Sequence, residues 1–194
     1  MEGQTTHNEN ERWENYRLAN SRFSHTRQIE LLKQLELTNP QEEETIVEVG
    51  TGNGYLTFEL AKAVGQNGRI ITHDYQRSNI DFVERVNDGR FPITTFHQSL
   101  DYMLEVSDEK ADRISTIATF HHYDDKSMNT GTTGRQRALN EFYRVLKESG
   151  TLVIGDVAHG TVAQRYFDAI DNPLYCHPRG HPHDFLDEKV AREL

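Results

Sequence analysis

Short apolar runs alternate with helical patterns along most of this chain, and that alternation constrains its fold more than any other feature. From residue 45 onward the strand-like runs are TIVEV, RIITH, ITTFH, RISTIATF and TLVIGD, centred near residues 47, 71, 95, 116 and 153. Helical patterns of about 10 to 15 residues lie between strands of this kind in βαβ units. The sequence therefore predicts an α/β fold, a three-layer sandwich with a mostly parallel sheet.

The residues ahead of the first strand have a different character. Apolar side chains between residues 11 and 37 recur at partly helical spacings, and Asn39-Pro40 ends the pattern. We expect one or two helices here, which makes residues 1–40 a helical cap segment ahead of one larger domain over residues 41–194. The run Gln41-Glu42-Glu43-Glu44 predicts a solvated acidic loop between the two.

Composition and charge limit the partners and the compartment. A formal net charge of -10 disfavours nucleic acid, because nonspecific binding of a phosphate backbone needs clustered Lys and Arg. We expect no membrane partner, since no stretch approaches the roughly 20 apolar residues that a membrane span needs. The N-terminal residues lack the basic and apolar regions of a secretory signal, and Cys176 has no second cysteine to pair with. These features favour a cytoplasmic location.

A glycine-rich turn follows the first predicted strand. Gly50, Gly52 and Gly54 stand between the strand TIVEV and an amphipathic helical pattern, and Glu48 precedes them inside the strand. Glycine permits positive φ and close approach of a ligand, and the helix start that follows offers free N–H groups. A buried carboxylate is costly unless it is paired, so we expect Glu48 to face a cationic or hydrogen-bonding partner.

Two further residues bear on what this turn does: Asp74 supports a ligand loop over a purely structural turn, which is the alternative, and Tyr55 bears on the kind of ligand. Asp74 closes the second strand twenty residues after Gly54, where an acid can accept hydrogen bonds from both hydroxyls of a ribose. The alternative for Asp74 is a helix N-cap or turn residue. Tyr55 stands where the dinucleotide pattern G-x-G-x-x-G needs its third glycine, so the match to a pyrophosphate site is poor.

The sequence G-T-G-N-G, with an acid two residues ahead, resembles the first motif of the class I S-adenosylmethionine-dependent methyltransferases. Further segments match that family in the same order: the acid Asp74, the polar pair Gln98 and Ser99 after the third strand, and ADRISTIATFHH, which fits from Asp112 to His122. The segment ALNEFYRVLKESGTLVIGD, residues 138–156, is similar to the family's E-x-x-R-V-L-K-P-G-G element. Together these motifs cover about residues 45–156.

The resemblance implies a Rossmann-like fold and S-adenosylmethionine as cofactor, with residues 41–194 as the methyltransferase domain. The cofactor-binding residues that it implies are Glu48, Gly50, Thr51, Gly52, Asn53, Gly54, Asp74, Tyr75, Gln98, Ser99, Leu100, Thr119 and Phe120. Glu48 would order the methionine amino group and Asp74 would bind the ribose hydroxyls. Residues 98–100 would flank the adenine, and Thr119 and Phe120 would lie beside the sulfonium.

The C-terminal end departs from the family. After the fifth strand the family has a helix and then a β-hairpin that completes the sheet, whereas this chain ends at Leu194 with a helical pattern, FLDEKVAREL. We therefore expect the C-terminal strands to be missing or shortened. An unpaired sheet edge would also make a homodimer possible.

Two histidines follow the fourth strand, where the family places groups that face the substrate. His121 and His122 are candidate catalytic bases, because a base helps methyl transfer when the acceptor carries a proton at neutral pH. Tyr123 and Asp156 are further candidates for the same pocket. The alternative is that His122 caps the strand by hydrogen bonding to backbone.

A second histidine cluster lies at residues 176–183, Cys-His-Pro-Arg-Gly-His-Pro-His. Its four Cys and His side chains could hold zinc or copper, which is one alternative. Because the spacing matches no known metal motif, we assign no metal site and expect a turn-rich loop over the substrate. The function that we expect is methyl transfer from S-adenosylmethionine to a small-molecule substrate. A non-catalytic S-adenosylmethionine-binding regulator or partner subunit is the alternative, and an NAD-dependent oxidoreductase fits less well because the third pattern glycine is absent.

Overall fold

The computed structural model describes residues 24–98, 103, 105–123, 134–161 and 164–165. Leu31–Asp156 forms one of the two compact units into which the chain divides, and it contains the candidate residues discussed below. The predictions for Ser99, Leu100 and the cluster at residues 176–183 lie outside the described residues.

A parallel sheet of five strands forms the centre of this unit. The strands are β1 (Thr45–Val49), β2 (Arg69–Asp74), β3 (Ile93–His97), β4 (Ala111–Ile117) and β5 (Leu146–Gly155). Their order is β3-β2-β1-β4-β5, and every neighbouring pair is parallel. This confirms the predicted α/β, Rossmann-like fold. Because the order reverses between β1 and β4, the carboxyl ends of these central strands border the crevice where such sheets bind ligands.

The helices lie at the positions that the pattern predicts. They are α1 (Ser24–Thr38), α2 (Tyr55–Val64), α3 (Arg77–Asn87) and α4 (Gly134–Val145), with a short 3-10 helix over Phe120–His122 after β4. The α1 helix ends just before Asn39-Pro40, as expected, and Asn39 has a positive φ of 47°. Residues 1–23, where a second helix was possible, lie outside the described part.

The apolar core beneath α2 holds the crossover against the sheet. Ile46 on β1 and Ile70 on β2 are paired in register, and both are fully buried against Leu56, Leu60, Ala61 and Val64 of α2. Leu31 and Leu35 of α1 pack against the same cluster. Each Leu, Ile or Val side chain of this cluster contributes roughly 1.5–3 kcal/mol when it is fully removed from water.

The motif E-x-x-R of α4 has a structural role. Arg144 donates to the carbonyls of Met103 and Val106, at 3.0 and 2.9 Å, and to the carboxylates of Glu141 and Asp108. Glu141 in turn accepts the Met103 N–H at 3.0 Å. This ion-pair network attaches the segment that precedes β4 to α4.

The predicted acidic loop is partly wrong. Residues 41–43 are exposed, but Glu44 is paired with Arg113 of β4 through two contacts, 2.7 Å to Nε and 2.9 Å to Nη2. Both side chains are largely buried, at 16% and 17% exposure. The loop is therefore anchored to the sheet at Glu44.

Candidate functional site

The glycine loop after β1 is held to β2 by backbone hydrogen bonds. The N–H groups of Gly50 and Thr51 both donate to the carbonyl of His73, each at 3.1 Å. Gly50 has φ 83°, and a Cβ there would collide with the side chain of Thr119, so a protein side chain and not a ligand requires this glycine. Gly52 also has positive φ, at 52°, but a Cβ there would have open space around it. Gly52 is thus the position where the loop is open to a ligand.

Glu48 is a buried carboxylate held by hydroxyl groups. It is 1% exposed, and its Oε2 accepts hydrogen bonds from Thr57 Oγ1 at 2.6 Å and Thr72 Oγ1 at 2.7 Å. Thr51 Oγ1 lies 2.6 Å from Thr72 Oγ1 and continues the chain of hydroxyls. Burial raises the pKa of Glu48 to about 7, although the two threonine hydroxyls lower it and the nearby Asp74 adds to the rise. The expected hydrogen-bonding partner is therefore confirmed.

Asp74 joins the glycine loop to the start of α3. Its Oδ2 accepts the Gly52 N–H at 2.8 Å and the Asn79 side-chain amide at 3.1 Å, while Oδ1 accepts the Gln76 N–H at 2.8 Å. The residue is 4% exposed. Burial raises its pKa, and the three hydrogen bonds work against that rise.

Gln98 and Tyr75 lie beside Asp74 at the same edge. The Gln98 N–H donates to the Asp74 carbonyl at 3.1 Å, which places the end of β3 next to the end of β2. In the described structure, Gln98 Nε2 is buried without a hydrogen-bond partner. A buried donor without a partner costs about 1–3 kcal/mol, which a ligand nitrogen or oxygen would recover. Tyr75 is 47% exposed, and its carbonyl lies 3.0 Å from His97 Nε2.

The turn after β4 places Thr119 against the glycine loop. Ala118 adopts a positive φ of 50°, and Thr119 Oγ1 donates to the Ile117 carbonyl at 3.1 Å. Phe120 is fully buried, and its ring packs on Tyr123 with centroids 5.3 Å apart. The Phe120 ring thus belongs to the core, so its predicted place beside the sulfonium could involve only its backbone.

His121 is fixed by Asp156, the residue that follows β5. Asp156 Oδ2 accepts the His121 backbone N–H at 2.8 Å, and Oδ1 lies 2.7 Å from the ring Nδ1. The two side chains are 2% and 7% exposed. The His122 ring lies 4.2 Å from the His121 ring, and its backbone N–H donates to the Thr119 carbonyl at 3.0 Å. The structure thus brings the two histidines together with Asp156 at the carboxyl ends of β4 and β5.

Sequence reasoning missed the residues that hold the two acids. Thr72 lies opposite Glu48 in the register of β1 and β2, and Thr57 and Asn79 lie in the first turns of α2 and α3. A signal existed in each case, because hydroxyl and amide side chains near a strand end or a helix start commonly bond to local acids. Asn53, by contrast, is half-buried in the loop.

Neither a metal centre nor a membrane span is found among the described residues. No group of three or more His, Cys, Asp and Glu side chains in that part of the chain could hold a metal ion. Likewise, none of the described helices is long and apolar enough to cross a membrane.

Comparison with known proteins gives a consistent family. A family model described as a methyltransferase domain matches residues 40–174. The ubiquinone/menaquinone biosynthesis C-methyltransferase UbiE of Hydrogenovibrio crunogenus is 27% identical over 128 residues, which are 62% of this chain and 44% of that protein. The chain thus spans less than half the length of this curated relative.

Solved structures share the fold. A SAM-dependent methyltransferase from Aquifex aeolicus superposes with a TM-score of 0.51 at 25% identity, covering 70% of this chain and 72% of that chain. Coclaurine N-methyltransferase, in complex with N-methylheliamine and SAH, superposes with a TM-score of 0.55 at 19% identity. That match covers 68% of this chain and 36% of that chain. Together with the sheet order and the motif positions, the family model shows that this chain belongs to the class I S-adenosylmethionine-dependent methyltransferase family.

Proposed function

We propose that this chain binds S-adenosylmethionine across the carboxyl ends of β1, β2 and β3, and that it transfers the methyl group to a small-molecule acceptor. The observation that carries this proposal is that the Asp74 carboxylate and the buried, unpartnered Nε2 of Gln98 belong to residues at adjacent strand ends, which are joined by the bond from the Gln98 N–H to the Asp74 carbonyl. A carboxylate suits ribose hydroxyls, and an amide donor suits a purine nitrogen. The residues present therefore fit the cofactor of the family.

The other predicted contacts follow the same edge of the sheet. The loop from Gly50 to Gly54, including Thr51 and Asn53, is proposed to pass the methionine and the ribose, with Gly52 as its open position. The negative charge of Glu48 would favour the methionine amino group, and Tyr75 with residues 98–100 would flank the adenine. Thr119 and the backbone of Phe120 would border the sulfonium, which supplies an electrophilic methyl group when the cofactor is bound.

Asp74 has little capacity left for new hydrogen bonds. A carboxylate offers about four lone-pair sites, and three are occupied by the donors of Gly52, Gln76 and Asn79. Two ribose hydroxyls can bind Asp74 together if one of these donors leaves. We propose that the Gly52 N–H is released, because Gly52 has open space and lies on the loop that the cofactor would contact.

Methyl transfer mainly needs alignment of the acceptor with the methyl group and exclusion of water. His121 and His122 follow β4 and come directly after Thr119 and Phe120, and the Thr119 side chain lies against Gly50. This position supports a place for both histidines beyond the sulfonium end of the proposed site. We propose these two histidines as the catalytic residues. The acidic composition supports a small molecule and not nucleic acid as acceptor.

Three further predictions remain proposals: a helical cap over residues 1–40, a cytoplasmic location and a homodimer. The outer strands of the described sheet, β3 and β5, are the edges through which a second copy could pair.

Isothermal titration calorimetry with S-adenosylhomocysteine tests the binding proposal. Asp74→Ala should weaken binding by about 100-fold or more, since a charged acceptor of two hydrogen bonds is lost. Asp81→Ala is the matched control, because Asp81 is an exposed acid on α3 that pairs with Arg77. Equal affinity of Asp74→Ala and the wild type would refute the site. NMR of the Gly52 amide should show a large shift on binding if its bond to Asp74 is released.

Turnover separates the enzyme from the alternative regulator. Purified protein with labelled S-adenosylmethionine and a panel of small phenols, amines and thiols should yield methylated product. Binding of S-adenosylhomocysteine without turnover on any acceptor would favour the non-catalytic regulator or partner subunit.

A further inference from the structure

The contact between His121 and Asp156 bears on which acceptors this site can methylate. We infer that Asp156 is a positioning residue that holds His121 as a proton acceptor, and that the methyl acceptor is therefore a group that must lose a proton, such as a phenolic hydroxyl. This inference rests on the proposed methyl transfer and extends it to an acceptor class.

Asp156 holds His121 at two points. One carboxylate oxygen accepts the backbone N–H at 2.8 Å and the other lies 2.7 Å from Nδ1, so both the main chain and the ring are fixed. The segments that carry the two residues are also joined, because the Ala118 N–H donates to the Gly155 carbonyl at 2.8 Å. The pair thus spans the carboxyl ends of β4 and β5.

The contact determines the tautomer of His121. A carboxylate accepts hydrogen bonds, so Nδ1 carries the proton that it shares with Asp156, and Nε2 is left as the basic nitrogen of the neutral ring. Among the described residues, the titratable groups that contact His121 include Asp156 and the adjacent His122. A carboxylate on Nδ1 also stabilises the imidazolium that forms when Nε2 takes up a proton.

The step balances without another reactant. A bond forms between the acceptor oxygen and the methyl carbon, and the carbon–sulfur bond breaks with its electron pair left on sulfur. The proton of the hydroxyl passes to Nε2 of His121 and is later released to solvent. An acceptor that is already ionised has no proton to lose, so its methylation does not need this base. Comparing ionised and protonated acceptors therefore measures the role of the pair.

A purely structural role is the competing explanation. Replacing a buried ion pair is often neutral for stability, so the burial of these groups is by itself weak evidence of a structural need. If the pair is only structural, replacing Asp156 should lower kcat/KM by the same factor with every acceptor. If the pair positions a base, the loss of kcat/KM should be large with protonated acceptors and small with ionised ones.

The test compares phenol, which is protonated at neutral pH, with a dinitrophenol, which is ionised. For Asp156→Asn we expect kcat/KM to fall by about 100-fold or more with phenol, the usual scale of general-base catalysis, and to stay roughly unchanged with the dinitrophenol. Asp112→Asn is the matched control, because Asp112 also accepts a backbone N–H and a cationic side chain, Thr45 and Lys147, at the opposite end of β4. Asp112→Asn should leave the ratio of kcat/KM with phenol to kcat/KM with the dinitrophenol at its wild-type value.

A second readout does not depend on turnover. Nitrogen-15 NMR of histidine-labelled protein with bound S-adenosylhomocysteine should show the neutral His121 ring protonated on Nδ1 in the wild type. In Asp156→Asn the proton should move to Nε2, because the asparagine amide can donate to Nδ1. Adding phenol should shift the Nε2 resonance of the wild type.

The outcomes distinguish this inference from the proposed function. Loss of S-adenosylhomocysteine binding at the Asp74 variant with normal behaviour at Asp156 would support the cofactor site alone. The inference is overturned by an equal loss with both phenols, by no turnover of either phenol, or by a wild-type His121 protonated on Nε2. In each of those cases calorimetry would still report independently whether the cofactor binds.

Discussion

Glu48 and Thr72 lie directly opposite each other on β1 and β2, and the threonine hydroxyl donates to the carboxylate at 2.7 Å. Thr57 donates to the same oxygen from the first turn of α2. The acid that precedes the glycine loop is thus buried among hydroxyls, and the partners described for it include no cation. This arrangement gives Glu48 an ionisation near neutral pH and couples that ionisation to stability.

The first prediction concerns the pH dependence of unfolding. The folded-state pKa of Glu48 is about 7 against 4.5 in the unfolded chain, so the folded state binds the proton more tightly. The resulting stabilisation is fully present below pH 4.5 and is lost as pH rises through about 7. Between pH 5 and pH 8 the loss should be on the order of 2 kcal/mol. Glu48→Gln should remove this component.

Urea denaturation of both proteins at several pH values measures the difference. Glu59→Gln provides a control, because Glu59 is a partly exposed acid on α2 that pairs with Lys62. The unfolding free energy of Glu59→Gln should change with pH as that of the wild type does. A Glu48→Gln curve parallel to that of the wild type across this range would show that Glu48 does not titrate near neutral pH.

The second prediction concerns the packing of Thr119 on Gly50. Gly50→Ala should destabilise the protein by about 2 kcal/mol or more, because alanine at φ 83° is strained and its Cβ collides with Thr119. Thr119→Ala removes the colliding hydroxyl and methyl groups. A double-mutant cycle should therefore show a favourable coupling of about 1 kcal/mol, measured by urea denaturation. Strict additivity would mean that the backbone conformation alone requires glycine at this position.

Local patterns made the fold and part of the site predictable. Strand and helix periodicity and the motif around Gly50 depend on neighbouring residues, so they could be recognised without the structure, and the five strands were placed correctly. The start of β5 was predicted less accurately. The strand begins at Leu146, because a register shift between Ala111 and Arg113 of β4 lets β5 extend further toward its N-terminal end. A run of residues cannot reveal an irregularity that depends on its partner strand.

Contacts between distant residues were harder to predict. Glu44 and Arg113 are separated by 69 positions. No local sequence pattern indicates that Glu44 is paired while residues 41–43 are exposed to solvent. The reason for glycine at position 50 depends in the same way on Thr119. Asp156 was recognised as a candidate for the pocket, but its two contacts with His121 depend on how β4 and β5 end beside each other.

The last prediction concerns Arg144 on α4. Its guanidinium group donates to acceptors in the segment before β4 and to Glu141 on its own helix. Lysine keeps the charge but cannot reach the carbonyls of Met103 and Val106 and the two carboxylates together, because its single ammonium group lacks the planar fork of donors. Arg144→Lys should therefore cost about 2 kcal/mol of unfolding free energy. Arg77→Lys is the control, since Arg77 makes an exposed pair with Asp81 that is worth about 0.5 kcal/mol or less.

Urea denaturation measures both variants, and hydrogen exchange at the Met103 and Val106 amides locates the effect. Faster exchange at these two amides in Arg144→Lys, with unchanged exchange in β1, would show that the arginine holds this segment to α4. If the two arginine variants lose equal stability, charge alone would explain the E-x-x-R motif. Because Gln98 lies just ahead of this segment, calorimetry with S-adenosylhomocysteine on Arg144→Lys would then show whether the anchor also supports the proposed adenine contacts.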